Sequence, residues 1–322
     1  MNCLCCGRPL LDSASKEELS SGWHASCVKN FFHTSKLPEI DISEESVLQI
    51  ATESTKRGYT IPGVQKKLSL HVTPGKEPRL TIVNYPIGFI LKPQTAEFQA
   101  LPEAEYLVMQ MAAATGIKTV PFALMRMPKH EDSFAYITKR MDRILPNAKT
   151  KKTQMLAMED FCQLDGRLTQ DKYRGSYERC AKIIAKYSVN PGLDLSELFL
   201  RIAFSYAIGN SDMHLKNFSL IETKSGSQSF VLSTAYDMLP TNVVMPEDTE
   251  QFALALNGKK SNLNRNDFMA FADTCGIPAK SADKMIHKIA SMQSMYLSMC
   301  RSSYLPDSMK ELLEKLIVER TL

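Results

Sequence analysis

The sequence predicts an α+β chain with a small β-rich lobe followed by a larger helical lobe. Three observations predict this. Residues 46–127 alternate short β-rich runs with turns. From Met158 onward apolar residues recur at helical spacing, broken by loops around 209–218 and 233–247. The 322 residues are 44% hydrophobic and 23% charged, an ordinary globular composition with enough chain for a sizeable core. The boundaries that follow are a Cys/His segment at 1–45, a first lobe at 46–143 and a helical lobe at 144–322.

The first segment holds a local cysteine cluster, the only Trp and a polar stretch from Asp12 to Ser21. Cys3-x-x-Cys6 and His24-x-x-Cys27 have the pair spacing of a tetrahedral Zn²⁺ site, as two such knuckles can face each other across a hairpin. Trp23 and Phe31-Phe32 would cover a segment too small to bury a core. Reduced thiols in a segment descended from such a knuckle are the alternative, and Cys5 is a spare thiol.

In the first lobe, Lys67–Val72 reads as a strand that turns at Thr73-Pro74-Gly75-Lys76. Leu80–Asn84 and Gly88–Lys92 read as two more. A helix is expected from Pro102 to Thr115, with Leu107, Met111 and Ala114 on one face and Gly116 as its stop. Thr119–Met127 and Phe134–Arg140 complete a small antiparallel sheet, and the lobes join near Thr138–Arg143. In the second lobe, Leu198–Gly209 is apolar but short and carries Arg201, so it reads as a buried helix rather than a membrane span. The tail from Ile277 reads as helical, with Met285, Ile289, Met292 and Tyr296 on one face.

Charge excludes some function classes. A net charge of +4, from 39 basic and 35 acidic residues, argues against a dedicated nucleic-acid binder. The runs Lys149-Thr150-Lys151-Lys152 and Lys259-Lys260 read as solvated loops. The start Met1-Asn2-Cys3 lacks the features of a secretory signal. The eight cysteines do not form a secreted-domain framework, and a reducing cytoplasm is expected, with no membrane association.

The polar run Ile208-Gly209-Asn210-Ser211-Asp212-Met213-His214-Leu215-Lys216-Asn217-Phe218 lies between two apolar runs. An Asp followed five positions later by Asn is the spacing of a kinase catalytic loop, where the Asp accepts a hydroxyl proton and the Asn holds a metal. Lys216 is placed to neutralise a transferring phosphoryl group; a helix cap is the alternative for the whole run. Tyr236-Asp237 puts a carboxylate 20 residues after Asn217, where a kinase keeps its second metal ligand, although Met238 follows in place of Phe. Lys92 ends an apolar strand, and Glu105 or Glu103 on the next helix is its potential partner. Thr60-Ile61-Pro62-Gly63-Val64-Gln65-Lys66 has one Gly and by composition is only a turn.

In order along the chain stand Ile61-Pro62-Gly63-Val64-Gln65-Lys66-Lys67-Leu68, Ile90-Leu91-Lys92-Pro93, Leu101-Pro102-Glu103-Ala104-Glu105 and Lys139-Arg140-Met141-Asp142-Arg143. Glu159-Asp160-Phe161-Cys162-Gln163, Ile208-Gly209-Asn210-Ser211-Asp212 with His214 and Asn217-Phe218-Ser219, and Tyr236-Asp237 follow. Together they resemble the ordered signature of HipA-like kinases over roughly residues 50–300. The resemblance implies a two-lobed protein-kinase-like fold using ATP and Mg²⁺. It implies Asp212 as base, Asn217 and Asp237 as Mg²⁺ ligands, Lys92 on the phosphates and Glu105 as its partner. His214 and the backbone of Thr138, Lys139 and Arg140 would lie near the nucleotide, and Gly63, Val64 and Gln65 would lie in the loop over the phosphates. In this family that loop can be autophosphorylated; Thr60 takes the position of the modified hydroxyl, with Ser54 and Thr55 nearby as alternatives.

Only about fifty residues precede the loop, as in short HipT-like members of three-gene toxin–antitoxin systems. The resemblance therefore implies a DNA-binding HipB-like antitoxin and a small HipS-like protein as partners. It also implies a protein substrate of the kind family members modify, such as an aminoacyl-tRNA synthetase. A pseudokinase acting as a regulatory module and a small-molecule phosphotransferase are the alternatives.

Overall fold

Short apolar runs that alternate with turns place successive side chains on opposite faces, so they need a sheet to bury one face. The computed structural model describes residues 1–41, 67–73, 75–81, 88–127, 130–145 and 152–321. They group into two units: 1–106 with 120–153, and 107–119 with 154–322. The Cys/His segment, expected to stand apart, is part of the first unit, because Phe31 and Phe32 pack their rings against Phe89 of its sheet. The second unit begins at 154 rather than 144 and also takes in 107–119.

The first unit is built on β1 (Glu39–Ile40), β2 (Leu68–Thr73), β3 (Arg79–Thr81), β4 (Phe89–Pro93), β5 (Phe122–Met127) and β6 (His130–Lys139). They form one sheet in the order β1-β3-β2-β4-β6-β5. Every pairing is antiparallel except that of β1 with β3. The strand expected at Leu80–Asn84 is formed at Arg79–Thr81, and Ile82 to Asn84 lie outside the described residues. The strand expected from Thr119 starts only at Phe122, because Pro121 has no N–H for a ladder. The Pro121 carbonyl instead accepts from Lys139 N–H at 3.0 Å.

The helix Leu101–Thr115 links the units: its residues up to Tyr106 belong to the first and the rest to the second. A short strand, β7 (Arg143–Ile144), follows in the first unit.

In the second unit, β8 (Gln154–Met155) precedes β9 (Met158–Asp160), where helical periodicity was expected. Met158 and Glu159 pair instead with β10 (Ser219–Glu222), which also pairs with β11 (Phe230–Leu232). Helices Phe161–Leu164, Tyr177–Tyr187 and Pro191–Ala207 come before the polar run, and Thr241–Val244 and Arg265–Thr274 after it. The helix Pro191–Ala207 ends at Gly209, whose φ of 71° is left-handed backbone that favours glycine.

The tail forms three helices, Ala279–Ser291, Gln293–Arg301 and Asp307–Arg320. Its buried face is Ala282, Ile286 and Ile289, then Tyr296 and Cys300. Of the expected face, Ile289 and Tyr296 are buried, while Met285 and Met292 are only half-buried and Ile286 lies buried beside Met285. Tyr296 Oη lies 2.6 Å from Thr115 Oγ1, so the tail packs within the second unit. No helix among the described residues is long and apolar enough to cross a membrane.

Candidate active site

In the first unit, β4 carries Lys92 on the sheet face opposite Phe89 and Leu91, and the sheet buries it. Lys92 Nζ lies 2.5 Å from Glu105 Oε1 and 5.2 Å from the centre of the Tyr136 ring. Lys92 is 2% exposed and Glu105 0%, so both charges have left water and each depends on the other. Glu103 does not make this pair: burial pushes its carboxyl up to about 7, and Glu105 takes the ammonium.

Near the end of β6, Thr138 is buried and donates from Oγ1 to the Pro121 carbonyl at 3.0 Å. Arg140 N–H continues the ladder to the Gly88 carbonyl at 2.9 Å. The Arg140 guanidinium grips Asp142 through two bonds, 2.9 Å and 2.7 Å, and Arg143 reaches the same carboxylate. Burial opposes ionisation of Asp142, but the two guanidiniums win and hold its carboxyl below the ordinary range. The Lys139 ammonium turns to the Asn30 carbonyl at 3.2 Å and the Phe31 ring.

In the second unit the polar run folds around its own backbone. Past Gly209, Asn210 Oδ1 accepts from Asp212 N–H at 3.3 Å, and Asn217 Nδ2 donates to the Asp212 carbonyl at 2.8 Å. Asn217 is thereby fixed through its amide nitrogen, which leaves Oδ1 as the atom suited to a cation. The Tyr173 hydroxyl donates to Asp212 Oδ1 at 2.8 Å. Burial raises the Asp212 carboxyl above the ordinary aspartate range. Tyr173 and Lys172 pull it back, while Asp237 and Asp248 push it up.

His214 is buried, with its ring edge-on to Tyr173 at 5.1 Å and Nε2 4.0 Å from Asp212 Oδ2. Lys216 Nζ is bound to Asp160 Oδ2 at 2.6 Å, so its charge is anchored on the residue that caps the helix Phe161–Leu164.

Asp237 has a φ of 53°, a strained left-handed conformation for a residue with a Cβ. Its predecessor fixes it there. The Tyr236 hydroxyl lies 2.6 Å from Ser219 Oγ and donates to the Lys216 carbonyl at 3.0 Å, tying the Asp237 turn to the strand that follows Asn217. The approach from β11 is held by Arg201, which is 1% exposed and donates to the Ser233 carbonyl at 2.7 Å. The Asn217 amide oxygen and the Asp237 carboxylate are hard oxygen donors of the kind Mg²⁺ takes.

The structure thus brings together Asp212, His214, Lys216, Asn217 and Asp237 in one unit, and Lys92 and Glu105 in the other. Gly63, Val64, Gln65, Thr60 and Ser54 lie outside the described residues. Cys3, Cys6, His24 and Cys27 also converge, with their ligand atoms all within 4.8 Å of one another. Sequence reasoning missed Tyr173, in an irregular loop that carries no periodic signal. It quoted Asp160 and Arg201 without a role. A charge inside an apolar helix was the available sign for Arg201, because a buried guanidinium must find acceptors.

Residues 59–296 match the family model described as the HipA-like C-terminal domain. A Haemophilus influenzae protein named "Putative kinase" is 26% identical over 328 residues, 93% of this chain and 91% of that protein. A longer Sinorhizobium fredii relative, "Putative kinase Y4mE", is 25% identical over 77% of this chain, which spans only 61% of its length. Among solved structures, Shewanella oneidensis HipA, determined in a complex with HipB and operator DNA, shares the fold. Its TM-score is 0.67 at 19% identity, covering 84% of this chain and 70% of that one. With the family model spanning well over half of it, the chain belongs to the HipA-like C-terminal domain family.

Proposed function

We propose that the protein is an ATP- and Mg²⁺-dependent protein serine/threonine kinase acting as the toxin of a HipA/HipT-type system. The observation that carries the reading is the coupling of Asp212, Asn217 and Asp237. The Asn217 side chain is bound to the Asp212 backbone, and Tyr236, which precedes Asp237, is bound to Ser219 at the start of the strand leaving Asn217. Asp212 accepts the proton of the attacking hydroxyl. Asn217 and Asp237 would hold Mg²⁺, which when bound would neutralise charge on the phosphates. Lys92, oriented by Glu105, supplies the fixed cation for the phosphates. Lys216 stiffens the catalytic loop through Asp160 and adds positive charge beside it.

The loop with Gly63, Val64 and Gln65 covers the phosphates, and the backbone of Thr138, Lys139 and Arg140, with His214, contacts the nucleotide. Thr60 or Ser54 is the site at which the kinase silences itself. The substrate is a protein of the translation apparatus, such as an aminoacyl-tRNA synthetase. The Shewanella complex supports a HipB-like, DNA-binding partner of the same kind.

The test is incubation of wild type and Asp212→Asn with Mg²⁺ and labelled ATP, with label mapped by mass spectrometry. We expect label on Thr60 or Ser54 in wild type, reduced at least ~100-fold in the variant, the lower end of what a general base contributes. No label in either protein, with no ATP binding by unphosphorylated wild type, would replace this reading with a pseudokinase.

A further inference from the structure

The kinase reading makes no use of the N-terminal segment, yet that segment is built with care. Asn2 bridges Pro9, and the turn between is closed by Cys3 N–H to the Arg8 carbonyl at 2.8 Å and Gly7 N–H to the Cys3 carbonyl at 2.9 Å. Gly7, directly after Cys6, has a φ of 72°, the left-handed step that lets a Cys-x-x-Cys-Gly turn point both sulfurs inward. Opposite it, His24 immediately precedes the helix Ala25–Phe32 with extended backbone, and Cys27 sits in the first turn. Leu4 N–H donates to the Gly22 carbonyl at 2.8 Å and clamps the two halves together.

The four ligand atoms meet. His24 Nδ1 lies 3.5 Å from Cys6 Sγ and 4.0 Å from Cys27 Sγ, and His24 N–H points at Cys3 Sγ at 3.4 Å. A tetrahedral zinc with ordinary Zn–S and Zn–N bonds has S···N edges of about 3.6 Å and S···S edges of about 3.8 Å. The two edges from His24 Nδ1 to Cys6 and Cys27 lie close to the S···N value, and all four ligand atoms lie within 4.8 Å of one another; a backbone N–H on a ligand sulfur is the kind of outer contact that orients metal ligands. Cys3 is fully buried.

We propose that Cys3, Cys6, His24 and Cys27 bind one structural Zn²⁺, and that the ion locks this segment as a cap on the open edge of the first unit's sheet. β5 is the last strand in the sheet order, so among the described residues no strand flanks its outward backbone groups. The segment supplies the partners at Leu124: its N–H donates to the Leu4 carbonyl at 2.9 Å, and its carbonyl accepts from Trp23 Nε1 at 3.2 Å. Tyr106 Oη donates to the Cys3 carbonyl at 3.2 Å, fixing the knuckle to the helix that carries Glu105. Trp23, Phe31 and Phe32 form one aromatic cluster, which extends to Phe89 on β4. Leu4 and Trp23, the residues that satisfy the edge, each adjoin a ligand in sequence, so the ion and the cap are one device. All four ligand positions are filled by protein, as in structural rather than catalytic zinc sites.

The only Trp of the chain lies inside this cap and reports on it. The experiment measures metal content of the full-length protein, its visible spectrum after Co²⁺ exchange, and Trp23 emission and amide exchange at Leu124 before and after chelation. We expect one zinc per chain and the intense visible bands of tetrahedral thiolate-bound Co²⁺. On chelation we expect a red shift of Trp23 and faster exchange at Leu124, both reversed by Zn²⁺. Cys5→Ser should keep the metal and Cys27→Ser should lose it. Wild-type protein without stoichiometric metal, or with two of these cysteines joined as a disulfide, would overturn the site. Chelation that removes zinc without moving Trp23 emission or Leu124 exchange would overturn the cap. None of these readouts depends on phosphoryl transfer, so they stand or fall apart from the kinase assay.

Discussion

Asp212 illustrates how one side chain is tuned by neighbours that sequence proximity does not reveal. Burial and the carboxylates of Asp237 and Asp248 favour its neutral form, while the Tyr173 hydroxyl stabilises the anion a base must present. Because its pKa is raised on folding, its ionisation weakens the fold as pH rises through that value, whereas the proposed role as general base needs the ionised form. Tyr173→Phe removes a bond that lowers the pKa, so the acid limb of kcat/KM should move to higher pH. An unshifted limb in a pH profile of the variant would show that Tyr173 does not act on Asp212.

Asp237 is the second residue whose character only coordinates reveal. In sequence a Tyr-Asp pair is nearly uninformative. In the structure, left-handed backbone at an Asp, anchored by Tyr236 to Ser219 and the Lys216 carbonyl, marks a position held against its own preference.

Among elements, β4 and the helix Leu101–Thr115 are joined by the Lys92–Glu105 pair. Lys92→Met takes away the ammonium that meets the buried Glu105 carboxylate and should cost about 3–5 kcal/mol. Lys92→Met combined with Glu105→Leu should recover much of that, because both charges of the pair are then gone. Urea unfolding of both variants checks this; a double variant no more stable than the single one would refute it. The strands themselves were legible where apolar and polar residues alternate, as in β2, or where a short apolar run is bounded by turns, as in β4. Legibility failed at β9, whose three residues become a strand only because β10 lies beside them. It was partial in the tail, where Ile289 and Tyr296 are buried as expected but Ile286 rather than Met285 completes the buried stripe.

For the molecule as a whole, ligand binding and stability are linked. If Asn217 and Asp237 hold Mg²⁺ for bound ATP, saturation at about 100 times the Kd should stabilise the chain by about 2.7 kcal/mol. Thermal melts with ATP, with and without Mg²⁺, should show a metal-dependent increment in wild type that Asp237→Ala lacks. An equal increment in the variant would remove Asp237 from the metal site.

What the sequence by itself determined was the α+β class, the order of the kinase-like motifs and the two Cys/His knuckle spacings. These are local facts: a short motif or an alternating run carries its physical meaning within a few residues. Tertiary structure alone decided that Glu105 rather than Glu103 meets Lys92, that Tyr173 reaches Asp212, and that Lys216 is held by Asp160. It also decided that Trp23 satisfies Leu124, 101 residues away in the chain. Such pairings follow from which buried polar groups packing brings within hydrogen-bond distance, and the cost of leaving one unpaired is set by an environment no local window contains.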